Sequence, residues 1–198
     1  FRLKFEEHFF FQILMALRRC VLREATGRIF DKKGEYVKRI YDRLPFTLTK
    51  AQIKVLREIH HDLKSPIQMN RLLQGDVGSG KTIVAMLTAA IIIGHNSQVA
   101  VMAPTEILAE QHFTGLQKYC DLVNIKIVLL KGGITGDERS SLLSNIKNGT
   151  AQLIIGTHAL IQSDVIFKDL ALIIVDEQHR FGVDQRKILI DKGYHPEV

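Results

Sequence analysis

Cysteine is scarce in this chain. Cys20 and Cys120 are the only two among 198 residues, and no metal-type spacing relates them. That argues against a disulfide framework and fits a reducing compartment, so a cytoplasmic location is expected. Long apolar runs are missing too. The stretch 9–17 is too short to cross a bilayer. It follows Glu6, Glu7 and His8 and precedes Arg18 and Arg19 with no small-residue cleavage site, so it does not read as a signal peptide. No membrane partner is expected. There is no internal repeat, no low-complexity tract and no acidic excess. The 27 basic residues outnumber the 21 acidic ones, giving +6 and a pI near 9.4. A basic surplus permits nucleic-acid binding without establishing it.

What is present suffices for one domain with a substantial core plus an appendage: 46% of the residues are apolar and the mean hydropathy is near zero. The organising stretch is Gly75-Asp76-Val77-Gly78-Ser79-Gly80-Lys81-Thr82, which fits G-x-x-x-x-G-K-[ST]. Gly75, Gly78 and Gly80 would let the backbone take left-handed dihedrals and approach a phosphate without a Cβ. Successive N–H groups would then form an anion nest at a helix N-terminus. Lys81 would reach the β- and γ-phosphates of ATP, and the Thr82 hydroxyl would sit on Mg²⁺. The flanks agree: 69–74 reads as a buried strand and 82–93 as an apolar helix ended by Gly94.

Along the chain, 1–26 predicts one helix stopped by Gly27, with an apolar stripe suited to packing on a neighbouring domain. The charged segment 28–44 predicts a connector with a short helix. A helix opens at Thr49, a plausible N-cap, and runs to about Leu63. Strands are then predicted at 98–103, 125–130, 152–156 and 170–176, and helices at 105–119, 137–148 and 183–191. Strands separated by helices of this length argue a parallel, doubly wound α/β sheet covered on both faces. The last strand ends in Asp176 and Glu177. Ligands in such sheets bind beyond the strands' carboxyl ends. Asp176 is therefore expected to hold Mg²⁺, and Glu177 to orient and deprotonate an attacking water.

These pieces together resemble the superfamily 2 helicases, and within them the bacterial fork-remodelling DNA translocases. The matching runs are LPFTLTKAQ (44–52), MNRLLQGDVGSGKT (69–82), MAPTEILAEQH (102–112), GTHALI (156–161) and DEQHRFG (176–182). The resemblance implies a three-layer RecA-like motor domain over 44–198, preceded by a helix and connector over 1–43. It implies an ATP-dependent, DNA-stimulated enzyme that acts as a monomer on double-stranded or branched DNA in recombination and repair. Gln52 would read adenine, and Phe46 would pack on the ring unless it is a plain core aromatic. Pro104, Thr105 and Gln111 would contact DNA, as would Gly156, Thr157 and His158. Gln178, His179 and Arg180 would transmit the nucleotide state. Where relatives usually carry Thr-Gly, this chain has Lys131-Gly132-Gly133, so a phosphate contact there rests on lysine as a point charge. The resemblance also implies a preceding wedge domain and a second motor domain supplying arginine fingers, without which hydrolysis would be slow. Two other readings stand beside this one. A transcription-repair coupling translocase shares much of the motif set, and a phosphate-loop kinase or regulatory module would explain residues 75–82 alone.

Overall fold

The structure, a computed structural model, describes residues 2–23, 27–32, 34–76 and 78–198, with side chains described outside 2–4 and 18–23. In chain order the helices are α1 (Arg2–Arg23), α2 (Glu35–Tyr41), α3 (Lys50–Leu63), α4 (Lys81–Ile93), α5 (Glu106–Asp121), α6 (Gly136–Lys147) and α7 (Val183–Ile190). The strands are β1 (Gln98–Met102), β2 (Ile127–Leu130), β3 (Leu153–Gly156) and β4 (Leu170–Val175). They form one parallel sheet in the order β2-β3-β1-β4.

The alternation of side chains explains why both faces are covered. Val99, Val101, Leu153 and Ile155 point into one apolar cluster with α3, α4 and α5, while Ala100, Met102, Ile154 and Ile173 point into a second cluster beside α6 and α7. Helix α4 is apolar almost all round because it is enclosed: only Lys81, Thr82 and Ala85 fall outside its buried set. The buried Gln98 at the foot of β1 is fully satisfied. Its amide donates to the carbonyls of Ile146 (2.9 Å) and Ala151 (2.7 Å) and accepts from the amides of Lys168 (2.8 Å) and Asp169 (3.0 Å).

Helix α1 forms as expected. Residues 1 and 24–26, and with them the exact stop before Gly27, lie outside the described residues. Its apolar side chains Phe5, Phe9, Phe10, Leu14 and Leu17 are exposed. The connector after it is tied down. Phe30 and Ile40 are fully buried in the α3–α4 cluster. Arg28 donates to both Asp169 oxygens (3.0 Å for Nη2–Oδ2) and to Ser97 Oγ (3.0 Å). Helix α3 opens on a reciprocal cap in which Thr49 Oγ1 accepts from Gln52 N (3.2 Å) and Gln52 Oε1 accepts from Thr49 N (2.9 Å).

The strand expected at 69–74 does not form a ladder of its own. It is extended, but its pairing is confined to Met69 and Arg71, which bond to Val198 (3.0 and 2.9 Å). Residue 197 in turn bonds to β4 through Ala171 (2.9 Å) and Ile173 (2.8 Å). β2 begins at Ile127 and not at residue 125, and Thr105 caps α5 from outside the helix.

Between these rungs sits Glu197, buried, its Oε2 accepting from the Met69 amide. Burial pushes its carboxyl up from 4.5 to about 7, against the Met69 amide, which pulls it down. The folded chain thus holds this proton more tightly than the unfolded one. The group's contribution to stability is full below pH 4.5 and is lost as pH rises toward 7. Glu197→Gln, neutral at every pH, should therefore raise Tm by a few degrees at pH 8. The gain should vanish below pH 4.5 in thermal melts followed by circular dichroism.

Candidate functional site

The loop 75–80 leads into α4 through two left-handed glycines, Gly78 (φ +79°) and Gly80 (φ +81°). Gly75 departs from expectation: its φ is not positive, and its missing Cβ instead leaves room for Ser79 Oγ, which lies 2.8 Å from where that carbon would stand. Val77 lies outside the described residues. Asp76 is exposed, and its carbonyl accepts from Ser79 N (3.1 Å). Lys81 Nζ is folded onto the loop, donating to the carbonyls of Gly75 (2.7 Å) and Asp76 (2.8 Å). Thr82 is exposed in the first turn of α4. Gln52 is attached to the same loop. Its Nε2 donates to the Ser79 carbonyl (2.9 Å) while its Oε1 serves the α3 cap, so both ends of the amide expected to read adenine have protein partners. Phe46 is exposed and lines a groove with Tyr41, Asp42, Leu44, Pro45 and Thr47.

Asp176 follows β4, with its amide continuing the ladder to the Met102 carbonyl (2.9 Å). Its carboxylate is gripped from two sides. Oδ2 accepts from His112 Nε2 on α5 (2.7 Å) and Oδ1 accepts from the Glu177 amide (3.0 Å). The His112 bond above all holds this carboxyl below the usual carboxylate range. Burial opposes it, while the Glu177 amide and the positive charge of Lys81 assist. Glu177 takes a left-handed backbone (φ +46°), unusual for a residue with a Cβ, and pairs with Arg180 Nε at 2.9 Å. Gln178, His179 and Arg180 form an exposed 3₁₀ turn, with Gln178 Oε1 accepting from Arg186 (3.1 Å).

The donor set suits a hard cation. Thr82 offers a hydroxyl, and Asp176 a carboxylate kept ionised. Among the described residues no group of three or more His, Cys, Asp or Glu converges into a metal cage. One carboxylate, one hydroxyl and phosphate oxygens are how Mg²⁺ is ordinarily held.

The expected DNA-contacting residues divide by exposure. Thr105 and Gln111 are exposed on α5 and Pro104 is half-buried before it, with Thr105 Oγ1 capping Leu108 N (3.2 Å). Gly156 and Thr157 are buried. A Cβ on Gly156 would fall 2.6 Å from the Leu130 carbonyl, so that glycine is needed for packing. His158 is exposed, with its ring 5.7 Å from that of Phe181. Lys131 and Gly132 are already engaged: Glu110 accepts from Lys131 Nζ (2.6 Å) and Glu106 from the Gly132 amide (3.3 Å). The Glu110 bond pushes the Lys131 ammonium pKa up. Sequence reasoning missed Glu106, Glu110 and His112 as partners of these groups. The available signal was the helical spacing of the two glutamates, which sets them on one face of α5.

A glycine-rich loop beside a strand-end carboxylate, on a parallel sheet covered by helices, defines a P-loop nucleotide-binding domain. The family model for DEAD/DEAH box helicases matches residues 49–194, and the chain belongs to that family. It is 50% identical over its whole length to the ATP-dependent DNA helicase RecG of Streptococcus pneumoniae, and 43% identical over 97% of its length to that of Aquifex aeolicus. It spans 29% and 24% of those proteins. A solved structure of RecG bound to a three-way DNA junction superposes with a TM-score of 0.80 at 44% identity, covering 89% of this chain and 24% of that one. The yeast DEAD-box splicing factor Prp28 shares the fold alone, with a TM-score of 0.62 at 20% identity, over 79% of this chain and 39% of that one.

The geometry of residue 80 gives a direct test of the loop. A Cβ there would overlap Gln52 Nε2, and φ +81° disfavours any side chain. Gly80→Ala should lower stability by roughly 1 kcal/mol. It should also weaken ATP binding at least tenfold in a fluorescent-nucleotide titration, because the loop amides lose their orientation.

Proposed function

We propose that this chain is the nucleotide-binding motor domain of an ATP-driven translocase acting on double-stranded and branched DNA, in recombination and repair. The observation that carries the reading is the glycine loop with left-handed Gly78 and Gly80 closed by Lys81, on a parallel sheet whose strand β4 ends at Asp176, in a chain 50% identical to a RecG helicase. The motor occupies 44–198, with the connector before it folded onto the same core. The relatives are more than three times longer, which supports a second motor domain and a wedge domain in the same polypeptide. A monomer in the cytoplasm fits this reading, and among the described residues no helix is long and apolar enough to cross a membrane.

In this reading the amides of Asp76, Gly78, Ser79 and Gly80 bind the phosphates of ATP, while Lys81 leaves the Gly75 and Asp76 carbonyls to meet the β- and γ-oxygens. Phe46 and Gln52 hold the adenine. Thr82 and Asp176 hold Mg²⁺, which when bound offsets charge on the transferring phosphate. Glu177 takes the proton of the attacking water once its bond to Arg180 is released. DNA phosphates meet the N-terminus of α5 at Thr105, with Gln111, His158, Lys131 and Gly132 completing a grip that ignores base sequence. The relatives named above are DNA helicases, and nothing among them favours the transcription-coupled or kinase readings.

The test uses the intact protein. ATP hydrolysis should be stimulated by a three-way DNA junction, and Lys81→Ala should lose nucleotide affinity. Glu177→Gln should keep that affinity but slow turnover by about 10²–10⁴. Normal turnover in Glu177→Gln would refute the assignment of the base.

A further inference from the structure

Helix α5 reaches two places at once. Near its start Glu106 and Glu110, one turn apart, hold the loop at Gly132 and Lys131. Two residues on, around the helix, His112 donates to Asp176 Oδ2 at 2.7 Å. The other oxygen, Oδ1, accepts from the Glu177 amide at 3.0 Å, from a residue whose own backbone is left-handed. Among the described residues, loss of His112 would leave that single bond to restrain rotation of the carboxylate about its last torsion. With His112 in place, the plane of the carboxylate is set from two directions, and each oxygen keeps a lone pair for a further ligand.

We propose that His112 is a positioning residue: its ring N–H fixes the Asp176 carboxylate for Mg²⁺. This rests on the assignment of Asp176 as a Mg²⁺ ligand. The chemistry asks only for a donor at that nitrogen, so a glutamine, whose Nε2 has similar reach, should substitute, and a phenylalanine, which fills the same space without a donor, should not. Hydrogen-bonded partners of metal-binding groups typically matter by 10–100-fold in metal affinity.

The experiment is a Mg²⁺ titration of fluorescent-ADP binding by the full chain, paired with thermal melts. His112→Phe should raise the half-saturating Mg²⁺ concentration about tenfold or more, leaving metal-free nucleotide affinity and Tm near wild type. His112→Gln should return the Mg²⁺ midpoint to within about twofold of wild type. A folded His112→Phe protein with an unchanged Mg²⁺ midpoint overturns the proposal, as does a His112→Gln protein no better than the phenylalanine variant. If wild type itself binds nucleotide with no dependence on Mg²⁺, then the Asp176 assignment fails, and the proposal with it. Removal of Asp176 separates the two cases: Asp176→Asn must shift the midpoint if the ligand assignment holds, whatever His112 does.

Discussion

Four backbone hydrogen bonds hold the two halves of the site together. β4 is joined to residue 197 through Ala171 and Ile173, and Val198 is joined to Met69 and Arg71. Because both ladders are parallel to the sheet, the segment entering the phosphate loop and the strand ending at Asp176 deliver their chains to the same edge. The rungs are few, and they are reinforced by the Glu197 carboxylate on the Met69 amide and by Arg71, which pairs with Asp62 (2.7 Å) and Glu58 (2.8 Å) on α3. Arg71 is thus fixed both by its backbone and by its guanidinium, and its pKa is raised chiefly by the bond to Asp62.

Local chemistry made much of this readable from the amino-acid order. The unbroken apolar runs at β1, β3 and β4 announced strands covered on both faces, and Thr49 with Gln52 announced a helix start. The left-handed glycines at 78 and 80 followed from the phosphate-loop pattern. What stayed hidden depends on distant partners. The segment at 69–74 has the composition of a strand, but its backbone bonds are made to Val198, 127 residues or more away in the chain. His112 lies 64 residues from Asp176, and no periodicity on α5 signals that bond. Glu177's left-handed backbone is likewise set by the turn after β4 and by Arg180, not by its own preference.

The same long-range pairing tempers the basic character of the chain. A surplus of six positive charges suggests an open cationic face. Yet Lys131 is paired with Glu110, and the adjacent Gly132 amide donates to Glu106. A phosphate arriving at this loop competes with carboxylates already in place. Net charge attracts from a distance, whereas contact depends on which acidic neighbour yields.

The clamp of Arg28 on Asp169 and Ser97 has a mechanical meaning. Asp169 stands at the foot of β4 and Asp176 just past its head, with six strand residues between. Gly27 and Phe30 donate in turn to the carbonyls of Pro66 (2.6 Å) and Leu63 (2.7 Å), so one short stretch of connector fastens the foot of β4 and the end of α3 to each other.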